Sequence, residues 1–158
     1  MKREYPDHPL VGVAAVLFTG TSVVLARRDR EPGKGRWSLP GGLVELGEAH
    51  VTALGRELRE ELSVTVAIGG LVGVFDKIFR DRQGGVAYHY VVVDYWGWIT
   101  QGCPTAGSDV SEVLLAPLDG LEGLDLDEEL VTTIRKAQSY WQQHVKSNHS
   151  MPQIPDPI

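Results

Sequence analysis

The chain predicts an α/β domain, a mixed sheet with one helix packed against each side. Three observations carry that prediction. Residues 11–18 (VGVAAVLF), 22–28 (SVVLARR) and 87–99 (AYHYVVVDYWGWI) are short apolar, β-branched or aromatic runs of the kind that form strands. Val51, Leu54, Leu58 and Leu62 recur at three- and four-residue steps and mark one amphipathic helix. Leu130, Ile134, Ala137 and Trp141 mark a second, near the end of the chain. A chain of 158 residues is most economically one domain, taken as residues 1–145, with residues 146–158 (KSNHSMPQIPDPI) as a mobile proline-rich tail.

Composition narrows the function. Hydrophobic content of 42% with 23% charged residues is that of an ordinary soluble globular protein. A formal net charge of −6 argues against a general binder of nucleic acid or of acidic membranes. It leaves small phosphorylated substrates open, because a bound cation inverts the local field. The single cysteine, Cys103, allows no internal disulfide, and the opening MKREYPDHPL holds no apolar run of signal-peptide length. A cytoplasmic location follows as an expectation.

Taken in order, residues 11–18 read as a strand buried on both faces, and residues 22–28 as its hairpin partner across Gly20-Thr21. Arg27 and Arg28 end that partner, and residues 29–35 (DREPGKG) form a loop. Residues 37–40 (WSLP) form a short strand feeding a turn at Gly41-Gly42, where the lack of side chains lets a ligand or metal approach the backbone. The first helix begins near Glu48. Within it Glu57 precedes Glu60 by three residues and Glu61 by four, so the carboxylates meet on one face and repel by roughly 0.2–0.5 kcal/mol per pair. Glu60 and Glu61 also lie in the last turn, where the helix dipole is already negative. Four Glu (48, 57, 60, 61) against Arg56 and Arg59 leave two uncompensated negative charges. A solvated acidic face is the usual meaning of such a run. A divalent cation resolves the conflict better, and hard oxygen ligands suit magnesium or manganese.

Residues 64–77 (VTVAIGGLVGVFDK) read as strand material bent or bulged at Gly69-Gly70 and Gly73, and residues 78–86 contain a charged loop closing on Gly84-Gly85. The aromatic strand 87–99 follows, its rings serving mainly packing and His89 being a polar strand residue. After a loop at 100–108, residues 112–116 form a strand and residues 126–145 a helix with an acidic first turn. His144 and His149 are assigned no ligand role.

Residues 42–64 resemble the Nudix hydrolase signature G-x5-E-x7-R-E-U-x-E-E-x-G-U, where U is a bulky aliphatic residue. Gly42, Glu48, Arg56, Glu57, Leu58, Glu60, Glu61 and Val64 match it, and Ser63 replaces its last glycine. A glycine just past a helix end usually takes a left-handed cap, which serine adopts at a cost of about 1 kcal/mol. The WSLPGG run extends the likeness to residues 37–64.

The resemblance implies a Nudix-type α/β/α sandwich with a mixed central sheet. It implies Mg2+, with Mn2+ as a substitute, held by Glu57, Glu60 and Glu61 as the catalytic centre. The Gly41 carbonyl and an acidic residue further on, Glu112 first and Asp109 second, are implied as additional ligands. Glu57 is either a ligand or the base for the attacking water. Glu48 and Arg56 are implied as a supporting ion pair. Arg27 or Arg28 is implied to meet the substrate phosphates, with Gly42 beside the substrate. The implied reaction is hydrolysis of a pyrophosphate bond in a nucleoside diphosphate linked to another moiety, a small-molecule nucleotide rather than a nucleic acid. The overall layout favours ADP-ribose, although the proline found in some such enzymes about fifteen residues past the motif is absent, that position falling at Phe79 and Arg80. The alternatives are a nucleoside triphosphate pyrophosphatase that cleans the nucleotide pool and a catalytically silent ligand sensor. Retention of Glu57, Glu60 and Glu61 speaks against the sensor. Relatives acting on ADP-ribose are often dimers, so a homodimer is open, with Tyr95, Trp96 and Trp98 either at its interface or packed beneath the C-terminal helix.

Overall fold

The computed structural model describes residues 1–148. Seven strands and two helices follow in order: β1 (Leu10–Thr19), β2 (Ser22–Arg28), β3 (Trp37–Ser38), β4 (Gly41–Leu43), α1 (His50–Leu62), β5 (Thr65–Arg80), β6 (Val86–Gln101), β7 (Val110–Pro117) and α2 (Glu128–Ser147). A 3-10 turn at Leu118–Gly123 links β7 to α2.

The sheet is mixed, as the sequence predicts. β1 runs parallel to β6 from Leu10↔Tyr90 to Phe18↔Trp98, and every other pairing is antiparallel. β1 sits at its centre, and its alternating side chains build both cores. Val13, Ala15 and Leu17 meet Ala53, Leu54, Leu58 and Leu62 of α1 on one face. Val16 and Phe18 meet Ile134, Ala137 and Trp141 of α2 on the other. The two helices therefore bury opposite faces, and the molecule is an α/β/α sandwich.

Several local expectations are corrected. Val51 belongs to the first turn of α1 and stays 45% exposed, its place on the buried stripe being taken by Ala53. Val11 is likewise exposed on an otherwise buried β1. The helix starts at His50 rather than Glu48. Gly41-Gly42 is not a turn but the strand β4. β1 and β2 pair only beside their hairpin, at Phe18↔Val23 and Thr19↔Ser22, and then diverge. The wedge between them is filled by β3 on the β2 side (Ala26↔Ser38) and β4 on the β1 side (Gly12↔Leu43 to Ala14↔Gly41). β5 shifts register between Ile68 and Gly70 and between Leu71 and Gly73, at the glycines expected to bend or bulge it, and continues to Arg80, which leaves residues 81–85 for the charged loop.

Trp96 and Trp98 pack against Trp141 and His144 of α2, while Tyr95 points to the opposite face and bonds His50 Nδ1 at 2.5 Å. Tyr95 and Trp96 are thus buried within the chain, and an interface between copies cannot draw on them. α2 continues to Ser147, past the expected end at 145. Most of the expected tail, including His149, lies outside the described residues. Among the described residues no helix is long and apolar enough to cross a membrane.

Candidate active site

The site opens at the wedge between β1 and β2. Gly41 and Gly42 bring the backbone of β4 against β1 on one side and α1 on the other, and each would collide with something if it carried a side chain. A Cβ on Gly41 would lie 2.0 Å from the Val13 carbonyl oxygen and 2.6 Å from Ala14 Cα. A Cβ on Gly42 would lie 2.2 Å from Glu57 Cδ. The second glycine therefore clears the space that the Glu57 carboxylate occupies.

Arg56 holds this arrangement together. Its Nε and Nη2 donate to the two oxygens of Glu48, both at 2.9 Å, in the bidentate form that a planar guanidinium favours. Nη2 also donates to the Leu43 carbonyl at 3.0 Å, and Nη1 to Glu57 Oε1 at 2.8 Å. One side chain thus fastens the end of β4, the loop before α1 and the Glu57 carboxylate. Hydrogen bonding from Arg56, helped by the Glu45 N–H, holds Glu48 down at about 2, and the Glu48 contact in turn raises Arg56.

Glu61 accepts the Gly41 N–H at 3.0 Å through Oε2. Burial pushes its carboxyl up to about 7; the Gly41 N–H and Arg28 draw it down, while Glu57 and Asp109 raise it further. Glu60 is half-exposed and lies 3.6 Å from Arg56 Nη1. Gly41, Gly42, Glu57, Glu60 and Glu61 all line one cavity of ≈ 480 Å³.

A divalent ion fits this wall by its chemistry. Glu61 is a partly buried acid crowded by Glu57 and Asp109, and the carboxylates of all three are hard oxygen donors. Among the described residues no three acidic, histidine or cysteine side chains converge as a preassembled cage. Magnesium does not need one, since it usually takes one or two carboxylates and completes its shell with water and substrate phosphate oxygens.

The other candidates separate. Arg28 lines the cavity, and among the described residues its side chain bonds only the Pro32 carbonyl, through Nε at 2.8 Å. Arg27 also lines it, but its Nη1 is tied to Glu112 at 2.7 Å and its guanidinium lies over the Trp37 ring at 5.4 Å. Glu112 is therefore not brought to the carboxylate cluster; its partner is Arg27, and it is absent from the cavity wall. Asp109, the second choice, does line the cavity, where it bonds Arg30 at 2.7 Å.

The cavity continues onto the α2 face of the sheet, which sequence reasoning did not anticipate. Trp37, Tyr90, Val92, Asp94 and Thr133 line this half. Asp94 is only 7% exposed, and burial raises it to about 6 although Lys77 draws it back. A lone carboxylate in VVVDYWGW was its visible signal.

The chain matches the NUDIX domain family over residues 8–137. It is 33% identical over 124 residues to the ADP-ribose pyrophosphatase of Methanocaldococcus jannaschii, spanning 78% of this chain and 71% of that protein. The MutT NUDIX hydrolase of Burkholderia pseudomallei superposes with a TM-score of 0.70 at 28% identity, covering 82% of this chain and 98% of that one. The NUDIX domain of Shewanella oneidensis NrtR, solved with ADP ribose, superposes at 0.66 with 26% identity, covering 85% and 90%. With Gly42, Arg56, Glu57, Glu60 and Glu61 of the signature on one cavity wall and 130 consecutive residues matched, this chain belongs to the NUDIX hydrolases, enzymes that act on pyrophosphate bonds.

Proposed function

We propose that this protein hydrolyses the diphosphate linkage of ADP-ribose to AMP and ribose 5-phosphate, with Mg2+ held by Glu57, Glu60 and Glu61 and the Gly41 carbonyl. The observation that carries the reading is the wall itself, where three carboxylates meet a side-chain-free backbone and a guanidinium free of any carboxylate partner among the described residues, Arg28. ADP-ribose is favoured because the relative named for that activity covers most of this chain and a neighbouring NUDIX domain holds ADP ribose.

When bound, the ion neutralises charge building up on the phosphate oxygens and lends orientation. The chain's own residues do the rest. Glu61, fixed by the Gly41 N–H, and Glu57, fixed by Arg56, present oxygens at set positions rather than on free rotamers. Arg28 offers a cation to the diphosphate from the β2 side. Arg56 and Glu48 touch no reacting atom; they keep Glu57 and β4 in place. Water adds to one phosphorus, the bridging P–O bond breaks, and the bridging oxygen leaves on the other phosphate.

Product release from ADP-ribose, nucleotide sugars, nucleoside triphosphates and dinucleoside polyphosphates, with and without Mg2+, tests this. ADP-ribose should be the preferred substrate and activity should need the ion. Release from triphosphates alone overturns the substrate, and release from no member overturns the catalytic reading.

A further inference from the structure

Asp94 is a buried charge in an otherwise apolar and aromatic strand. An ionised carboxylate out of water is costly unless something donates to it. The nearby donors are turned to another residue: Lys77 Nζ pairs with Glu129 at 2.7 Å, and the Thr133 hydroxyl donates to the Glu129 carbonyl at 2.9 Å. No hydrogen bond or ion pair from the described residues reaches Asp94, and no buried side-chain oxygen is sealed off without a partner, so its oxygens face the cavity.

Its position relative to the diphosphate wall is set by strand register. Gly41 pairs with Ala14, and Ala14 pairs with Asp94, in one row across the sheet. Two strand spacings place the Asp94 backbone about 10 Å from Gly41. That is too far for a phosphate held at Glu57 and Glu61 and suits the group attached to it. Tyr90 and Trp37 line the same half of the cavity.

We propose that Asp94 is a specificity-determining residue that accepts hydrogen bonds from adjacent donors on the nucleoside part of the substrate, at a base edge or a ribose diol. The inference rests on the diphosphate lying against Glu57 and Glu61 as described above. At neutral pH the carboxylate is ionised and can only accept, so a ligand must bring the protons.

The test compares three probes, AMP, purine riboside 5′-monophosphate and 2′,3′-dideoxy-AMP. Their dissociation constants are measured by calorimetry in the presence of Mg2+ for the full chain and for Asp94→Asn. The unaltered protein should lose about 10-fold to 100-fold in affinity for one stripped probe, as expected for a hydrogen bond to a charged group. Which probe loses affinity tells base edge from diol. Asp94→Asn should bind AMP weakly by the same factor and be indifferent to the stripping. Equal affinity of the unaltered protein for all three overturns the inference without any variant. So does an Asp94→Asn protein that keeps the original discrimination. Failure to hydrolyse ADP-ribose is a separate result; the same comparison then uses the monophosphate of the nucleoside that is turned over.

Discussion

At Glu61, burial and the neighbouring carboxylates of Glu57 and Asp109 act on one carboxyl group, and the Gly41 N–H and Arg28 offset only part of their effect. The result is an acid that is costly to ionise without a cation. Glu61→Gln should therefore abolish turnover and yet stabilise the metal-free protein at pH 8, by about 1–3 kcal/mol. Steady-state assay and thermal unfolding of one preparation check both halves; a variant that loses activity and stability together would mean that Glu61 serves only the fold. Arg56 makes the opposite case. Its three nitrogens serve Glu48, Glu57 and Leu43 at once, so Arg56→Lys should cost about 10-fold to 100-fold in kcat/KM, a single ammonium being unable to reproduce the fork. That Arg56, Glu57, Glu60 and Glu61 come together on one wall was legible in sequence because a helix fixes spacing. Glu112 stands apart from the carboxylate wall because its position depends on how β7 pairs with β2, and Arg27↔Glu112 are cross-strand partners. Sequence distance carries no trace of that pairing.

Among the elements, β4 and α1 form the unit that makes the site. The two glycines of β4 fail differently when filled. At Gly42 the obstacle is the tip of a flexible side chain, so Gly42→Ala should displace Glu57 and cut activity at least 100-fold, a scale set by loss of one transition-state contact, with little change in unfolding midpoint. At Gly41 the obstacle is the β1 backbone, so Gly41→Ala should also destabilise, by about 2 kcal/mol or more. Urea unfolding alongside kcat separates the two. α1 ends on Ser63 at φ 59°, ψ 35°, a left-handed cap whose N–H donates to the Arg59 carbonyl. Ser63→Gly should raise stability by about 0.5–1 kcal/mol, relief of the left-handed penalty less the entropy that glycine adds to the unfolded chain. The cap was readable from the motif's missing glycine. The strand character of Gly41-Gly42 was not, because a Gly-Gly pair signals a turn locally and only the divergence of β1 from β2 creates a slot for it.

For the whole molecule, both cores and the order of elements followed from the two apolar stripes and the buried strands. The α2 half of the cavity did not, since it forms only when β1, β6 and α2 are brought together. Two acids, one buried and one partly buried, then tie stability to pH. Glu61 and Asp94 both titrate higher folded than their ordinary values of 4.5 and 3.8, at about 7 and about 6. A folded state that holds protons more tightly than the unfolded one is stabilised at low pH and loses that advantage as pH rises between the two values. The metal-free protein should thus become less stable from about pH 4 to pH 7. Glu48, held near 2, acts in the opposite sense but only below about pH 4.5, outside this window. A divalent ion binds ionised carboxylates and binds only the folded chain, so it should restore what Glu61 loses. Differential scanning calorimetry with EDTA and with 5 mM Mg2+ (a concentration of about 100 Kd for a 50 µM site would add about 2.7 kcal/mol) checks this. At 2–4 °C per kcal/mol for a chain of this size, the magnesium shift should reach about 5–10 °C at pH 8 and shrink below about 2 °C at pH 5. A shift of equal size at both pH values would place the ion somewhere other than against Glu61.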